Sequence, residues 1–470
     1  MSRPGTKLSA LDATLLVSGS MIGSGIFIVS ADMSRTLGSA GWLMLAWAVA
    51  GLFTLCGALT YGELAAMMPT AGGQYRYIQR AFGKLTAFTY GWTVFTVIQT
   101  GVIAAVAMAF ARYLGVFIPS LGESYAGKAV AVSLVVFLTW MNSRGVQEGK
   151  WIQRIFTSAK LIALFGLIAF GLYYATQFQF LAENWKNAWQ ASTWLSGTEG
   201  SGIGHWQPIG GWGIATAMGV AMVGSLFSSD AWNNVTFIAG EIDNPRKNIP
   251  RSLVAGTLTV TVIYLLANVA YLSLLPLRGA LLPSIEQQGI SHALNNRVGA
   301  AAASVIMGNK GQLLMAGLIM ISTFGCINGI VLAGARFYKA MADDGLFFNR
   351  AASLNKHQVP GYALWIQCAW ACLLCLSGSY EQLLDYCIFV ALIFYVITAL
   401  GLFRLRKTEP DTERPYKVWG YPVIPAIFMG IALFVAADLL VFKTMTALIG
   451  LGIVACGIPV YYLITRPTKA

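Results

Sequence analysis

Residues 19–27 run Gly19-Ser20-Met21-Ile22-Gly23-Ser24-Gly25-Ile26-Phe27, inside an apolar stretch from about Leu8 to Leu37. The stretch is long enough to cross a bilayer as a helix, which takes roughly 20 residues. Three glycines and two serines in the seven residues 19–25 make its centre a poor helix. In hydrocarbon the freed N–H and C=O groups must find partners inside the protein, so the break should line a cavity. The second half-helix then presents amides as a positive end and the first half presents carbonyls as a negative one. Such ends suit a carboxylate and an ammonium group. The same glycines also suit close packing of two helices, and the stretch by itself leaves both readings open. A second such place is Ser225-Leu226-Phe227-Ser228-Ser229-Asp230-Ala231-Trp232-Asn233-Asn234, with six polar side chains in ten residues. These are costly in lipid and reasonable only beside a water-filled site. The third is Lys160, in Phe156-Thr157-Ser158-Ala159-Lys160-Leu161, an ammonium within an apolar segment.

The elements that must hold these residues follow from composition. Of 470 residues 57% are hydrophobic and 11% charged, with a mean hydropathy of +0.65; soluble domains carry roughly 25% charged residues. The chain is therefore expected to be an all-α membrane protein, since its apolar segments lack the period-2 alternation of barrel strands. They lie at about 9–37, 41–68, 84–112, 126–144, 150–176, 211–240, 249–275, 311–342, 361–378, 381–405, 421–440 and 444–465, which predicts twelve transmembrane helices. The start, with Arg3 and Lys7 before an apolar run, has the outline of a cleavable signal, but Asp12 interrupts it and it is taken as the first span. An even number of spans puts both termini on one face. That face holds 22 of the lysines and arginines against 8 on the other, so the positive-inside rule makes it cytoplasmic. The net charge of +12 then calls for a lipid bilayer and for no nucleic acid. The longest outer loop, about 177–210, carries Trp185, Trp189, Trp194 and Trp206, with Trp212 at its edge, and is expected to lie on the membrane interface.

Spans one and six are both interrupted. If 9–176 and 211–405 are two copies of inverted topology, these are corresponding positions, and paired breaks there point to a transporter's midplane site. The trailing helices, about 421–465, fall outside the repeat.

At these residues the chain resembles the amino acid/polyamine/organocation superfamily, most closely the L-type amino acid transporters. The resemblance rests on Gly23 to Phe27; on Phe227 to Trp232 with Glu241, Asn244-Pro245 and Asn248-Ile249-Pro250; on Ser322 to Gly329; and on Pro69 to Tyr75 with Phe82-Gly83. It runs from the first span to about Pro415. It implies a bundle of two inverted five-helix repeats with helices 1 and 6 broken, plus two trailing helices, carrying amino acids by alternating access. It implies that the amides of Gly23, Ser24 and Gly25 hold the substrate carboxylate and that the carbonyls of Met21, Phe227 and Asp230 take its ammonium. Phe227 would be a gate and Asn233 part of the wall. Relatives usually have glycine where Ala231 stands. Animal relatives join a partner subunit through a cysteine between spans three and four; residues 113–126 hold none, so no disulfide-linked partner is expected. In relatives the lysine matching Lys160 projects toward the first and eighth helices, where sodium-driven members of the wider fold keep a cation; here it would be a permanent stand-in for sodium.

Other polar residues read more plainly. Asp230 is either a counter-ion to a cationic substrate or a cap accepting backbone amides, and the cap is preferred because carbonyls can meet the ammonium. Glu63 and Glu241 are expected in ion pairs at the cytoplasmic ends of spans two and six. His205, His292 and His357 are expected as solvated loop residues. Cys368, Cys372 and Cys375 share a helix face with no histidine or carboxylate nearby and are taken as filler rather than metal ligands. No cofactor is called for. The combined reading is a sodium-independent exchanger of neutral L-amino acids in the cell membrane. A proton-coupled symporter in which Lys160 titrates, or a carrier of cationic amino acids or polyamines, is the alternative. A membrane-embedded enzyme would need paired carboxylates or His/Cys sets at span ends, and a channel a repeated pore ring; the sequence shows neither.

Overall fold

Ser9 starts the first helix by a reciprocal cap: its hydroxyl accepts the Asp12 amide at 3.1 Å and the Asp12 carboxylate takes the Ser9 amide at 3.1 Å. In the computed structural model, which describes residues 7–121, 124–145, 149–175, 177, 180–196, 204–279 and 288–465, α1 (Ala10–Met21) ends at the glycine-rich stretch. One 3-10 turn, Gly25–Phe27, follows, and the chain resumes as α2 (Val29–Leu37). Gly38 ends α2 in the left-handed conformation, φ +56°. The first half of the bundle continues through α3 (Ala40–Met67), the short α4 (Gln74–Phe82), α5 (Lys84–Thr93), a π turn at Val94–Ile98, α6 (Gln99–Leu114), α7 (Ser124–Ser143) and α8 (Gly149–Tyr174).

The loop that follows is structured. It holds α9 (Phe180–Lys186) and a two-stranded antiparallel hairpin, β1 (Ser192–Leu195) with β2 (His205–Pro208), in which Trp194 sits opposite Trp206. The second half comprises α10 (Trp212–Ser228), a 3-10 stretch Trp232–Glu241, α11 (Pro245–Leu274), α12 (Val298–Asp343), α13 (Gly361–Ser377), α14 (Tyr380–Thr408), α15 (Val423–Phe442) and α16 (Thr444–Ile464). Helix α12 breaks at Met307 and Gly308. Among the described residues nine helices are long and apolar enough to cross a membrane, and Ala10–Met21, Lys160–Tyr174 and Gly361–Ser377 are shorter apolar ones. These segments lie where the sequence places its twelve apolar runs. Helix α11 packs along α3, α1 and α8, and α12 along α8 and α6, which buries the C-terminal part of α1 around Val17, Ser18, Gly19 and Met21.

One loop residue departs from expectation. His292 is 9% exposed, lying edge-on to Trp194 at 4.6 Å and Trp206 at 6.3 Å between ring centroids, with Nδ1 2.7 Å from the Ser291 hydroxyl. The hairpin covers it, which the spacing of residues in the sequence could not reveal; His205 and His357 are exposed as expected. Burial, followed by the Arg35 guanidinium, holds the His292 imidazole below the usual histidine range. A depressed histidine stabilises its packing above the unfolded value near 6.5 and loses that contribution as pH falls. Acidification from about pH 7 to about 5 should therefore loosen the hairpin. Proteolysis at the hairpin, followed against pH, should rise in the wild type and stay level in His292→Phe.

Candidate functional site

The carbonyls around the first break are held by donors from four other helices. Lys160 of α8, 2% exposed, donates to Gly19 O at 2.6 Å and Ile22 O at 2.9 Å. The Cys326 thiol of α12 lies 3.8 Å from Ser20 O. On α11, Tyr264, Asn268 and Tyr271 fall at i, i+4 and i+7 and so share one face. The Tyr271 hydroxyl donates to Ile26 O at 3.2 Å, Asn268 accepts from Ser30 at 2.8 Å, and the Tyr264 hydroxyl sits 3.0 Å from Met21 O and 2.9 Å from Ser228 O. Tyr113 closes the set with a 2.9 Å bond to Phe27 O. The donors of the break are treated differently. The amides of Ser24, Gly25 and Ile26 have no acceptor among the described hydrogen bonds. Acceptors satisfied and donors left open are the arrangement that suits an anion.

Two details differ from the residue assignment expected above. The Gly23 amide turns back onto Met21 O at 2.8 Å, which shifts the open donors one residue along, to 24–26. Met21 O already accepts from the Gly23 amide and lies 3.0 Å from the Tyr264 hydroxyl, which it shares with Ser228 O. The turn is centred on Ile22, φ −74° and ψ 86°, the conformation of an inverse γ-turn.

The second break meets the first. A Cβ built on Gly25 would lie 2.2 Å from Ser228 Oγ and 2.9 Å from Ser228 Cα, so only glycine lets the two half-helices approach this closely. Phe227 is buried, and its ring lies 6.1 Å from that of Tyr380, edge to face. Tyr380 in turn lines a cavity of about 570 Å³ open toward the face opposite the termini. Asp230 Oδ1 accepts the Tyr395 hydroxyl at 2.5 Å and its carboxylate also faces the Ala231 amide. Ala231 has φ +64°, a left-handed conformation that a side chain opposes by roughly 1–2 kcal/mol. Ala231→Gly should raise stability by about 1 kcal/mol, read as a higher midpoint in thermal unfolding.

On the side nearer the termini, Asn233 donates to Gln74 Oε1 at 3.1 Å, Tyr90 donates to the same oxygen at 2.9 Å, and Gln74 Nε2 donates to Phe394 O and the Thr398 hydroxyl at 3.1 and 3.0 Å. This network walls a cavity of about 30 Å³ lined also by Gln99, Asp230 and Tyr395. The π turn in the third span runs beside it, its loosened carbonyls taken up by Thr100 on Phe95 O at 2.7 Å and Trp370 on Thr96 O at 2.8 Å.

Two interrupted helices thus meet end to end, and comparison with known proteins shows the family. Residues 8–456 match the family model described as amino acid permease. The chain belongs to the amino acid permease family. That family lies within the amino acid/polyamine/organocation superfamily. Among similar proteins are the serine/threonine exchanger SteT of Bacillus subtilis, 29% identical over 97% of this chain and 96% of that protein; the b(0,+)-type amino acid transporter 1 of Mus musculus, 28% over 91% and 81%; and the large neutral amino acids transporter small subunit 2 of Homo sapiens, 29% over 97% and 80%. The permease is thus a multi-pass membrane transporter of amino acids and not an enzyme.

In a transporter the ion pairs near the termini matter, because one face must open while the other closes. Glu63, fully buried, is held by Arg406 at 2.9 and 2.6 Å, by Arg414 at 3.3 Å and by the Val418 amide at 2.7 Å. Glu241 pairs with Arg336 at 2.5 Å and Asp344 with Arg76 at 2.5 Å, joining the end of the sixth span and the loop after the second to α12. Leu8 adds a backbone tie, donating to Glu241 O and accepting from the Asp243 amide. Sequence reasoning missed Tyr264, Cys326, Gln74 and Tyr395. The 264/268/271 face of α11 was the available signal for the first, and the loop motif from Pro69 to Tyr75 for Gln74. The cysteines of α13 belong to no group able to hold a metal among the described residues; Cys375 rests on Ala104 O at 3.9 Å.

Proposed function

We propose that this permease exchanges neutral L-amino acids across the cell membrane, independently of sodium and by alternating access. The observation that carries the reading is the set of three open amides at Ser24, Gly25 and Ile26 beside a fixed ammonium, Lys160, that already occupies the carbonyl end of the broken helix. The carboxylate would sit on those amides, and the substrate ammonium would meet the carbonyls of Phe227 and Asp230. A lysine seated where a cation would otherwise satisfy carbonyls removes the need for sodium. Inverted repeats at 9–176 and 211–405, trailing helices at 421–465 and cytoplasmic termini belong to the same proposal, with the pairs of Glu241 and Asp344 as cytoplasmic latches. Residues 113–126 offer no cysteine to a partner subunit.

Asp230 supports a neutral substrate. Its carboxylate is engaged by Tyr395 and Ala231, as a cap rather than a free counter-ion, and the relatives named for serine/threonine and for large neutral amino acids favour the same class. In reconstituted liposomes, excess neutral amino acids should suppress labelled uptake while arginine, agmatine and glutamate leave it within about twofold. Competition by arginine equal to that by serine would reassign Asp230 as a counter-ion. A proton-coupled symporter is the second reading, because Lys160 is a fully buried titratable group.

A further inference from the structure

We propose that Asp438 is a proton-binding site through which trailing helix α15 controls the mobile half-helix α10. Asp438 is the only charged residue of α15 (Val423–Phe442) and is 7% exposed. Its Oδ2 is buried without a hydrogen-bond partner. The carboxyl lies flat on α10: a Cβ built on Gly219 would be 2.3 Å from Oδ2 and 2.6 Å from Cγ, so the missing side chain of Gly219 makes the seat. An acid inside a membrane span is a candidate functional group by default.

Among the described residues no counter-charge is paired with Asp438. Helices α10, α3, α14 and α16 pack against α15. Helix α10 carries no titratable side chain, and α3 offers only Cys56, Tyr61 and Glu63, the last committed to Arg406 and Arg414. On α14, Glu381 is paired with Arg112 and Asp385 with Lys443, which stands at the start of α16; Tyr380, Tyr386, Cys387 and Tyr395, and the basic Arg404, Arg406 and Lys407, lie along the rest of it. Cys456, Tyr461 and Tyr462 of α16 complete the set. None of them forms an ion pair with Asp438 among the described residues, and the backbone of Val220 is the polar group beside it.

A dry seat with no cation accommodates the neutral acid, whereas the carboxylate needs water. Binding a proton taken from water converts one to the other, with no other reactant. Gly219 lies nine residues, roughly 13 Å along the helix, from Ser228 at the substrate site. Movement of α10 away from α15 wets the carboxyl, and closure dries it. Protonation therefore favours the packing seen here and ionisation favours its release, a bias on the transport equilibrium separate from Lys160.

The test uses the full chain in liposomes, with two readouts. Infrared spectra of wild type minus Asp438→Asn should show a carboxylic acid C=O band near neutral pH that fades at alkaline pH, and Gly219→Ala should move its midpoint. Counterflow of a labelled amino acid should change at least about threefold between about pH 5.5 and 8 in wild type and be level in Asp438→Asn, at the wild-type acidic rate. Absence of the band, a midpoint indifferent to Gly219→Ala, or a wild-type pH profile kept by Asp438→Asn overturns the proposal. The infrared readout needs no substrate, so a wrong substrate assignment would fail in counterflow alone.

Discussion

Gly25→Ala should abolish binding of a neutral amino acid, by at least about a hundredfold, while Gly23→Ala keeps it within a few-fold. The contrast is geometric. A methyl at position 25 would collide with Ser228, 2.2 Å from its Oγ, and would force the two broken spans apart exactly where their ends meet. A methyl at position 23 meets the Cys326 sulfur at 3.4 Å, an ordinary contact, and the Gly23 amide already serves Met21 O. The amides of Ser24, Gly25 and Ile26 that would hold the carboxylate are placed by the close approach at Gly25. Pairing Gly25→Ala with Ser228→Gly removes the contacts with Oγ and Cβ but leaves Ser228 Cα 2.9 Å from the methyl, so binding should return only in part, and partial recovery in the double variant would attribute the loss to packing between the half-helices. Scintillation proximity binding on protein that elutes as a single species in size-exclusion chromatography gives the numbers. Unchanged affinity in Gly25→Ala would remove the first break from the binding site.

The second large effect is expected at Lys160. Lys160→Ala removes the donor from Gly19 O and Ile22 O, and a buried carbonyl left without a partner costs about 1–3 kcal/mol. Both carbonyls belong to the movable first helix, so the loss falls unequally on the states of the cycle. Turnover in counterflow should drop by about ten- to a hundredfold with substrate affinity changed by much less. Wild-type exchange should be indifferent to sodium. A steep proton flux accompanying uptake, lost in Lys160→Ala, would favour the symporter over the exchanger.

The apolar runs, two interruptions and four motifs in order were enough to give helical class, spans and family, because burial in lipid demands long continuous patterns that any window of the sequence displays. They also located Lys160 opposite the first helix through resemblance, and Ala231 as a departure from glycine whose reason is its positive φ. Which backbone groups stay open is not a property of spacing. The local turn at Ile22 takes the Gly23 amide and leaves 24–26 open, but that the carbonyls of Ser20, Met21 and Ile26 are met depended on Tyr264 and Tyr271 arriving from α11 and Cys326 from α12, hundreds of residues away. The same holds for Gln74, which looks like a loop residue until Tyr90, Asn233 and Thr398 surround it. His292 and Asp438 are local ciphers of the same kind: a loop histidine became a buried one under a hairpin, and a lone acid in an apolar helix gained meaning only from the glycine it rests on. Local sequence specifies which groups can hydrogen-bond; the packing of distant helices decides much of which of them are left unpaired, and those are the groups proposed to carry the binding.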